Sequence, residues 1–155
     1  MGPSGSAREI VRSGSGWVIL RLYNYTGSID PIIYVNNGTN TKYSRAVVNL
    51  QDNEWHHIVG TYNGTHSAIY VDGVLYDTDM LGGDLSPPTD NSGRFICVGV
   101  DCATLANDFK GKIDEVRIYN ISLTPEQVKA LYNNRTDLIV SSETTTGDVW
   151  KACVI

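Results

Sequence analysis

Three sets of residues in this 155-residue chain carry side chains capable of chemistry. The first is Trp55-His56-His57, an imidazole pair among carboxylates such as Glu54 and Asp72. Neighbours on a strand point to opposite faces, so the two rings would not meet on one metal or substrate atom. The third histidine, His66, follows the Asn63-Gly64 turn at a sheet end, and packing is the expected role of all three. The second set is Asp114-Glu115, within Lys112–Tyr119. A nucleophile and acid that cleave a glycosidic bond from one strand must alternate along it, so that both carboxyls share a face. Adjacent acids face apart, Glu115 shares its side with Arg117 as a surface ion pair, and no E-x-D-x-E run occurs. The chain is therefore expected not to be an enzyme. Asp114 alternates with Val116 and Ile118, which puts it on an expected core face. There it needs a cation or several hydrogen bonds. Calcium at a rim, with Asp101, Asp108 and backbone carbonyls as further ligands, and loop N–H groups without metal are equal alternatives. The third set is aromatic. Tyr25, Tyr43 and Tyr76 lie near strand ends, where rings are free to stack on the apolar faces of sugars. Trp55, Tyr62, Tyr70 and Tyr119 lie within expected strands, where packing accounts for them.

The elements that position these residues are short strands. Asn63-Gly64 and Asp72-Gly73 sit between β-branched and aromatic runs, as two-residue turns do in type I′ hairpins. They predict a meander of strands over 55–62, 65–71 and 74–78. Before it, 16–27 and 30–40 read as a hairpin with a loop around Gly27–Pro31, and 42–50 as another strand. After it, the Gly/Pro/Asp/Ser-rich stretch 79–93 reads as a long surface loop, 94–101 as a strand, 102–111 as a second loop and 112–120 as a closing strand. One helix is predicted near Leu123–Asn134: Thr124 suits the N-cap, Pro125 the first turn, and Gln127 completes a capping box. Val128, Leu131 and Tyr132 share its packing face. The pattern is all-β, an antiparallel β-sandwich with one short C-terminal helix. Residues 1–13 read as a disordered leader or an expression scar, 14–134 as the module, and 135–155 as a tail that opens a further β module or adds strands.

With 12 Lys and Arg against 17 Asp and Glu, net charge −5, no basic stripe is available to neutralise a phosphate backbone, which argues against nucleic-acid binding. No apolar run approaches the roughly 18 residues a membrane span needs. Sequons begin at Asn24, Asn37, Asn63, Asn120 and Asn134, more than composition predicts, and favour an exported glycoprotein. Cys97 and Cys102 are close enough to bridge a bend in an oxidising compartment, and the third cysteine, Cys153, stays free or pairs outside this sequence.

Residues 13–133 resemble the laminin-G-like, concanavalin-A-like jelly-roll modules of secreted and surface proteins. Asn53–Leu75 is similar to their W-H-H…T-Y-[DN]-G…Y-V-D-G-x-L meander, Ile96–Asp101 to an intervening I-x-[IV]-G strand, and Phe109–Tyr132 to their G-x-I-D-E-V-R-I-Y-N strand and helix. Such modules usually begin with a further pair of strands and an F-D-G-x-x-D-Y motif not seen here, so the sandwich is expected to be short of strands at one side. The resemblance implies a jelly roll in a larger extracellular or cell-surface protein, structural calcium, and carbohydrate binding or adhesion with glycans or surface proteins as partners. A protein-interaction or spacer module in a surface array, and an accessory domain of a glycanase, are the alternatives.

Overall fold

The computed structural model describes residues 6–14, 16–83, 85, 95–135 and 145–146. They form two antiparallel sheets and one helix. The strands are β1 (Ala7–Ser13), β2 (Val18–Tyr25), β3 (Ser28–Asn36), β4 (Thr41–Arg45), β5 (Ile58–Tyr62), β6 (His66–Val71), β7 (Val74–Met80) and β8 (Ile96–Val98); α1 is Pro125–Tyr132. One sheet runs β4-β3-β2-β1-β8, the other β5-β6-β7.

Turn chemistry sets the registers. Thr26 (φ 49°) and Gly27 (φ 94°) form a two-residue turn, so β2 pairs with β3 from Tyr25↔Ser28 to Val18↔Val35. The loop expected at Gly27–Pro31 is thus shorter, and Pro31 lies inside β3 opposite Leu22. Its carbonyl accepts from Ala46 N–H just where the β4 ladder ends, so the N–H that proline lacks points to a side with no strand bond to make. Asp72 (φ 51°) and Gly73 (φ 76°) make the expected tight turn. At Asn63-Gly64 the connection is one residue longer: Asn63 Oδ1 accepts from Thr65 N–H, Thr65 Oγ1–H and His66 N–H, and caps the loop itself.

The sheets meet over Ile33, Val35, Ala46, Ile69, Val71 and Leu81, with Val18 and Leu20 at the margin. A Cβ built on Gly60 would lie 2.6 Å from Ile33 Cδ1, so β5 owes its closeness to the missing side chain. A second cluster, Ala68, Tyr70, Leu123 and Val128, seats α1 on the opposite face of β6. The capping box is complete: Gln127 N–H donates to Thr124 Oγ1 at 3.3 Å and Thr124 N–H to Gln127 Oε1 at 2.8 Å.

Three expectations are corrected. Residues 7–13 of the expected leader are β1, paired with both β2 and β8. The strand expected at 55–62 begins only at Ile58, and Trp55 is 66% exposed. Residues 112–120 form no strand; Asp114 is exposed, and so are Val116 and Ile118, the residues expected to share its core face. Glu115 has φ 50°, which interrupts the extended run. Alternation marks a segment fit to pair, and here no neighbouring strand takes up its backbone among the described residues. Asp79 and Met80 of the expected loop end β7; residues 84 and 86–93 of that loop, the tail after residue 135 apart from 145–146, where further strands are expected, and Cys153 lie outside the described residues.

Candidate ligand-binding face

The register of the larger sheet sorts its residues into two faces. Val18, Leu20, Ile33 and Val35 face the second sheet. The pairs Arg21↔Ile32, Tyr23↔Asp30, Tyr34↔Tyr43, Ile32↔Arg45 and Glu9↔Arg21 stand on the other face. It carries an alternation of rings and charges from β4 to β1.

At the β4 edge, Arg45 donates through Nε to Asp30 Oδ2 at 2.7 Å and makes a second, short bond to the same oxygen through Nη2. Ser28 Oγ–H donates to Asp30 Oδ1 at 2.5 Å, so the fully buried Asp30 carboxylate is held from both sides. The Arg45 guanidinium lies 3.5 Å from the centroid of the Tyr25 ring. Tyr23 packs on Tyr25, with centroids 4.8 Å apart. Burial, with the Tyr43 phenol nearby, pushes the Tyr25 hydroxyl up to about 12 against the pull of Arg45. Tyr43 remains 42% exposed, so this end of the face opens to solvent.

Toward β1, Arg21 lies between the Tyr23 and Tyr34 rings, 5.4 and 5.3 Å from their centroids. Its Nη1 is 3.6 Å from the fully buried Glu9, and Arg12 Nη1 is 3.7 Å from the same oxygen. Among the described residues no donor lies within ordinary hydrogen-bond distance of either Glu9 oxygen. Burial raises the Glu9 pKa, outweighing the two guanidinium groups that work to lower it. Arg12 Nε is 3.2 Å from Asp101 Oδ1. Burial acts to raise the Asp101 pKa, but hydrogen bonds from Ala103 N–H and Thr104 and the charge of Arg12 bring it below its usual value. Asp101 belongs to a bend stapled by the Cys97–Cys102 disulfide, Cα atoms 5.9 Å apart.

Of the three tyrosines expected as ligand contacts, the face brings Tyr25 and Tyr43 together; Tyr76 lies on β7 in the other sheet, beside the shift in register with β6. Asp101, Asp108 and Asp114 do not converge. Asp108 is 3.6 Å from Lys110, Asp114 Oδ1 accepts from Glu115 N–H, and Asp101 is engaged by Arg12. Among the described residues no three His, Cys, Asp or Glu side chains form a metal-ligand group. These three aspartates therefore do not fit a shared calcium ion.

The histidines face apart. His56 bridges two carboxylates, Nδ1 2.8 Å from Asp72 Oδ2 and Nε2 3.1 Å from both Asp52 oxygens. Its pKa is raised, first by the Asp72 hydrogen bond. His57 points to Tyr132, ring centroids 6.1 Å apart, and burial lowers its pKa. Asp72 also accepts His57 N–H at 2.9 Å, so one aspartate fixes both the turn and the approach to β5.

Sequence reasoning missed Arg45, Asp30, Arg21 and Glu9. The first three are accessible from parity once the Thr26-Gly27 register is known; Glu9 needs the β-prone run Glu9-Ile10-Val11 to be taken as a strand.

A family model described as the concanavalin A-like lectin/glucanases superfamily, of laminin G type, matches residues 2–129. An S-layer domain-containing protein from Clostridium thermocellum (residues 221–444) is similar at 19% identity with a TM-score of 0.44. That similarity covers 85% of this chain and 65% of the other, so this chain spans less than two thirds of its neighbour. No curated protein matches. Among the described residues no helix is long and apolar enough to cross a membrane. A β-sandwich built from the quoted meander and helix, with the family model matched from residue 2 to residue 129, makes the chain a member of the concanavalin A-like lectin/glucanases superfamily.

Proposed function

We propose that the chain is a non-enzymatic carbohydrate-binding or adhesion module of an exported, cell-surface protein, and that it takes sugar at the β4 edge of the larger sheet's outer face. The observation that carries this reading is the convergence of Tyr25 and Tyr43 beside the Arg45–Asp30 pair. An exposed ring offers a stacking surface, and a fixed guanidinium–carboxylate pair offers donors and acceptors whose orientation is set before a sugar arrives. The acids of this face support binding over hydrolysis, since Asp30 is committed to Arg45 and Glu9 lies between two arginines. The five sequons and the Cys97–Cys102 bridge support export. The test is a glycan array with and without calcium. Saturable binding to a defined set of glycans is the expected result, and silence across the array would favour a spacer or protein-interaction role instead.

A further inference from the structure

Glu9 is as deeply buried as Asp30 on the same face of the larger sheet, yet it is held differently. Asp30 takes a guanidinium nitrogen of Arg45 at 2.7 Å, whereas the guanidinium groups of Arg21 and Arg12 stand off from Glu9 Oε1 at 3.6 and 3.7 Å. The backbone brings these three side chains together. In a regular strand Glu9 and Arg12, three residues apart, would point to opposite faces. The register shift between Glu9 and Val11 inserts Ile10 and returns both to the outer face. Arg21 is the cross-strand partner of Glu9, so a change of rotamer is enough to join them.

Each arginine has a second partner. Arg12 Nε is 3.2 Å from Asp101 Oδ1, and that oxygen also accepts Ala103 N–H at 2.9 Å within the bend closed by the Cys97–Cys102 bridge. Arg21 instead lies 5.4 and 5.3 Å from the ring centroids of Tyr23 and Tyr34. Arg12 is thus anchored by an opposite charge, and Arg21 by ring faces. With a proton on Glu9 this division is stable, because a neutral carboxyl needs no cation. With the proton gone, a carboxylate at this depth must draw a cation into hydrogen-bond distance, since leaving it unpaired costs more than two cation–π contacts return. Arg21 gives up the less to answer it.

From this arrangement we infer that Glu9, Arg21, Arg12 and Asp101 form a proton-operated latch: with Glu9 protonated Arg21 stays between the Tyr23 and Tyr34 rings, and with Glu9 ionised Arg21 closes on it and leaves them. The charged and titratable groups facing Glu9 are Arg12 on its own strand, Arg21 on β2 and Asp101 on the bend, with the phenols of Tyr23 and Tyr34 beside Arg21. Burial raises the Glu9 carboxyl above its ordinary 4.5 against the pull of both arginines, so the latch turns at a higher pH than an ordinary glutamate titrates. Stability from the protonated form is full below about pH 4.5 and is lost as the pH rises through the folded value. The latch is read in the protein alone and does not rest on the sugar-binding proposal.

An NMR titration of the isotope-labelled chain from about pH 4 to about pH 8 tests it. Through-bond assignment in the parent identifies the Glu9 carboxyl carbon and the rings of Tyr23 and Tyr34. The expected result is a Glu9 midpoint above 4.5, with both ring signals shifting at that same midpoint as Arg21 leaves them. In Glu9→Gln, which keeps the shape and stays neutral, the rings should no longer shift. In Arg21→Met the Glu9 midpoint should climb further, because the closing cation is gone. A Glu9 midpoint at or below 4.5 overturns the latch, and so do rings that stay still while Glu9 titrates. Both of those outcomes are read from the parent and hold even where a variant fails to fold. In folded variants, an unchanged ring titration in Glu9→Gln or an unchanged Glu9 midpoint in Arg21→Met overturns it as well.

Discussion

His56 is placed by chemistry that is local and therefore testable by titration. Its two nitrogens meet Asp72 and Asp52, and its folded pKa lies above the ordinary 6.5. Stability from this bridge is fully present below about pH 6.5 and is lost as pH rises through the folded pKa. His57, shifted the other way by burial, works with the opposite sign: its contribution is present above about 6.5 and lost on acidification. Comparison with His56→Ala separates them. Urea unfolding should show the parent losing part of its stability as the pH rises above about 6.5, with a smaller loss in the variant; parallel curves would contradict the bridge. Arg45 is governed by burial. Replacing it with Met leaves the fully buried Asp30 without its cation and should cost about 3 kcal/mol in the same measurement, whereas an ion pair at the surface would cost under about 1 kcal/mol. Gly60→Ala forces a methyl against Ile33 and should cost about 1–3 kcal/mol.

At the scale of elements, turn and cap chemistry carries most of what the sequence discloses. Asp72-Gly73 and Thr124-Pro125-Glu126-Gln127 specify their own geometry through positive φ and reciprocal capping bonds, and both have that geometry here. The 112–120 segment departs from its own pattern because alternation describes how a strand would present its side chains, while pairing depends on a partner far away in sequence. Glu9 is hidden for a related reason, since a Gly/Ser-rich approach conceals a short strand whose value comes from β2 and β8 beside it. Tyr25 and Tyr43 read in sequence as isolated strand ends; only the β2–β3–β4 registers put them on one face. The sequons divide by element too. Asn63, Asn120 and Asn134 are exposed, but Asn37 is half-buried and its Nδ2 donates to Gly82 carbonyl at 2.9 Å. Secretion from a glycosylating host followed by glycopeptide mass spectrometry should find sugar at the first three and little at Asn37; full occupancy at Asn37 would contradict that packing.

As a whole, the molecule is a sandwich whose inner faces are aliphatic and whose larger sheet has an outer face of rings and ion pairs. Among the described residues Asp101, Asp108 and Asp114 have separate partners, so they do not share an ion. Thermal unfolding should accordingly give the same midpoint in calcium and in excess chelator; a fall of several degrees on chelation would show a native-state ion held by other residues. What the molecule does is tested most directly by weighing its two sheets against each other. Once a glycan has been found on the array, its affinity would be measured by calorimetry for the parent, Tyr43→Ala and Tyr76→Ala. Loss of one stacking ring at the β4 edge should weaken binding at least about tenfold, with Tyr76→Ala, on the other sheet, within error of the parent. Unchanged affinity in Tyr43→Ala, or a loss confined to Tyr76→Ala, would contradict a site on the outer face of the larger sheet.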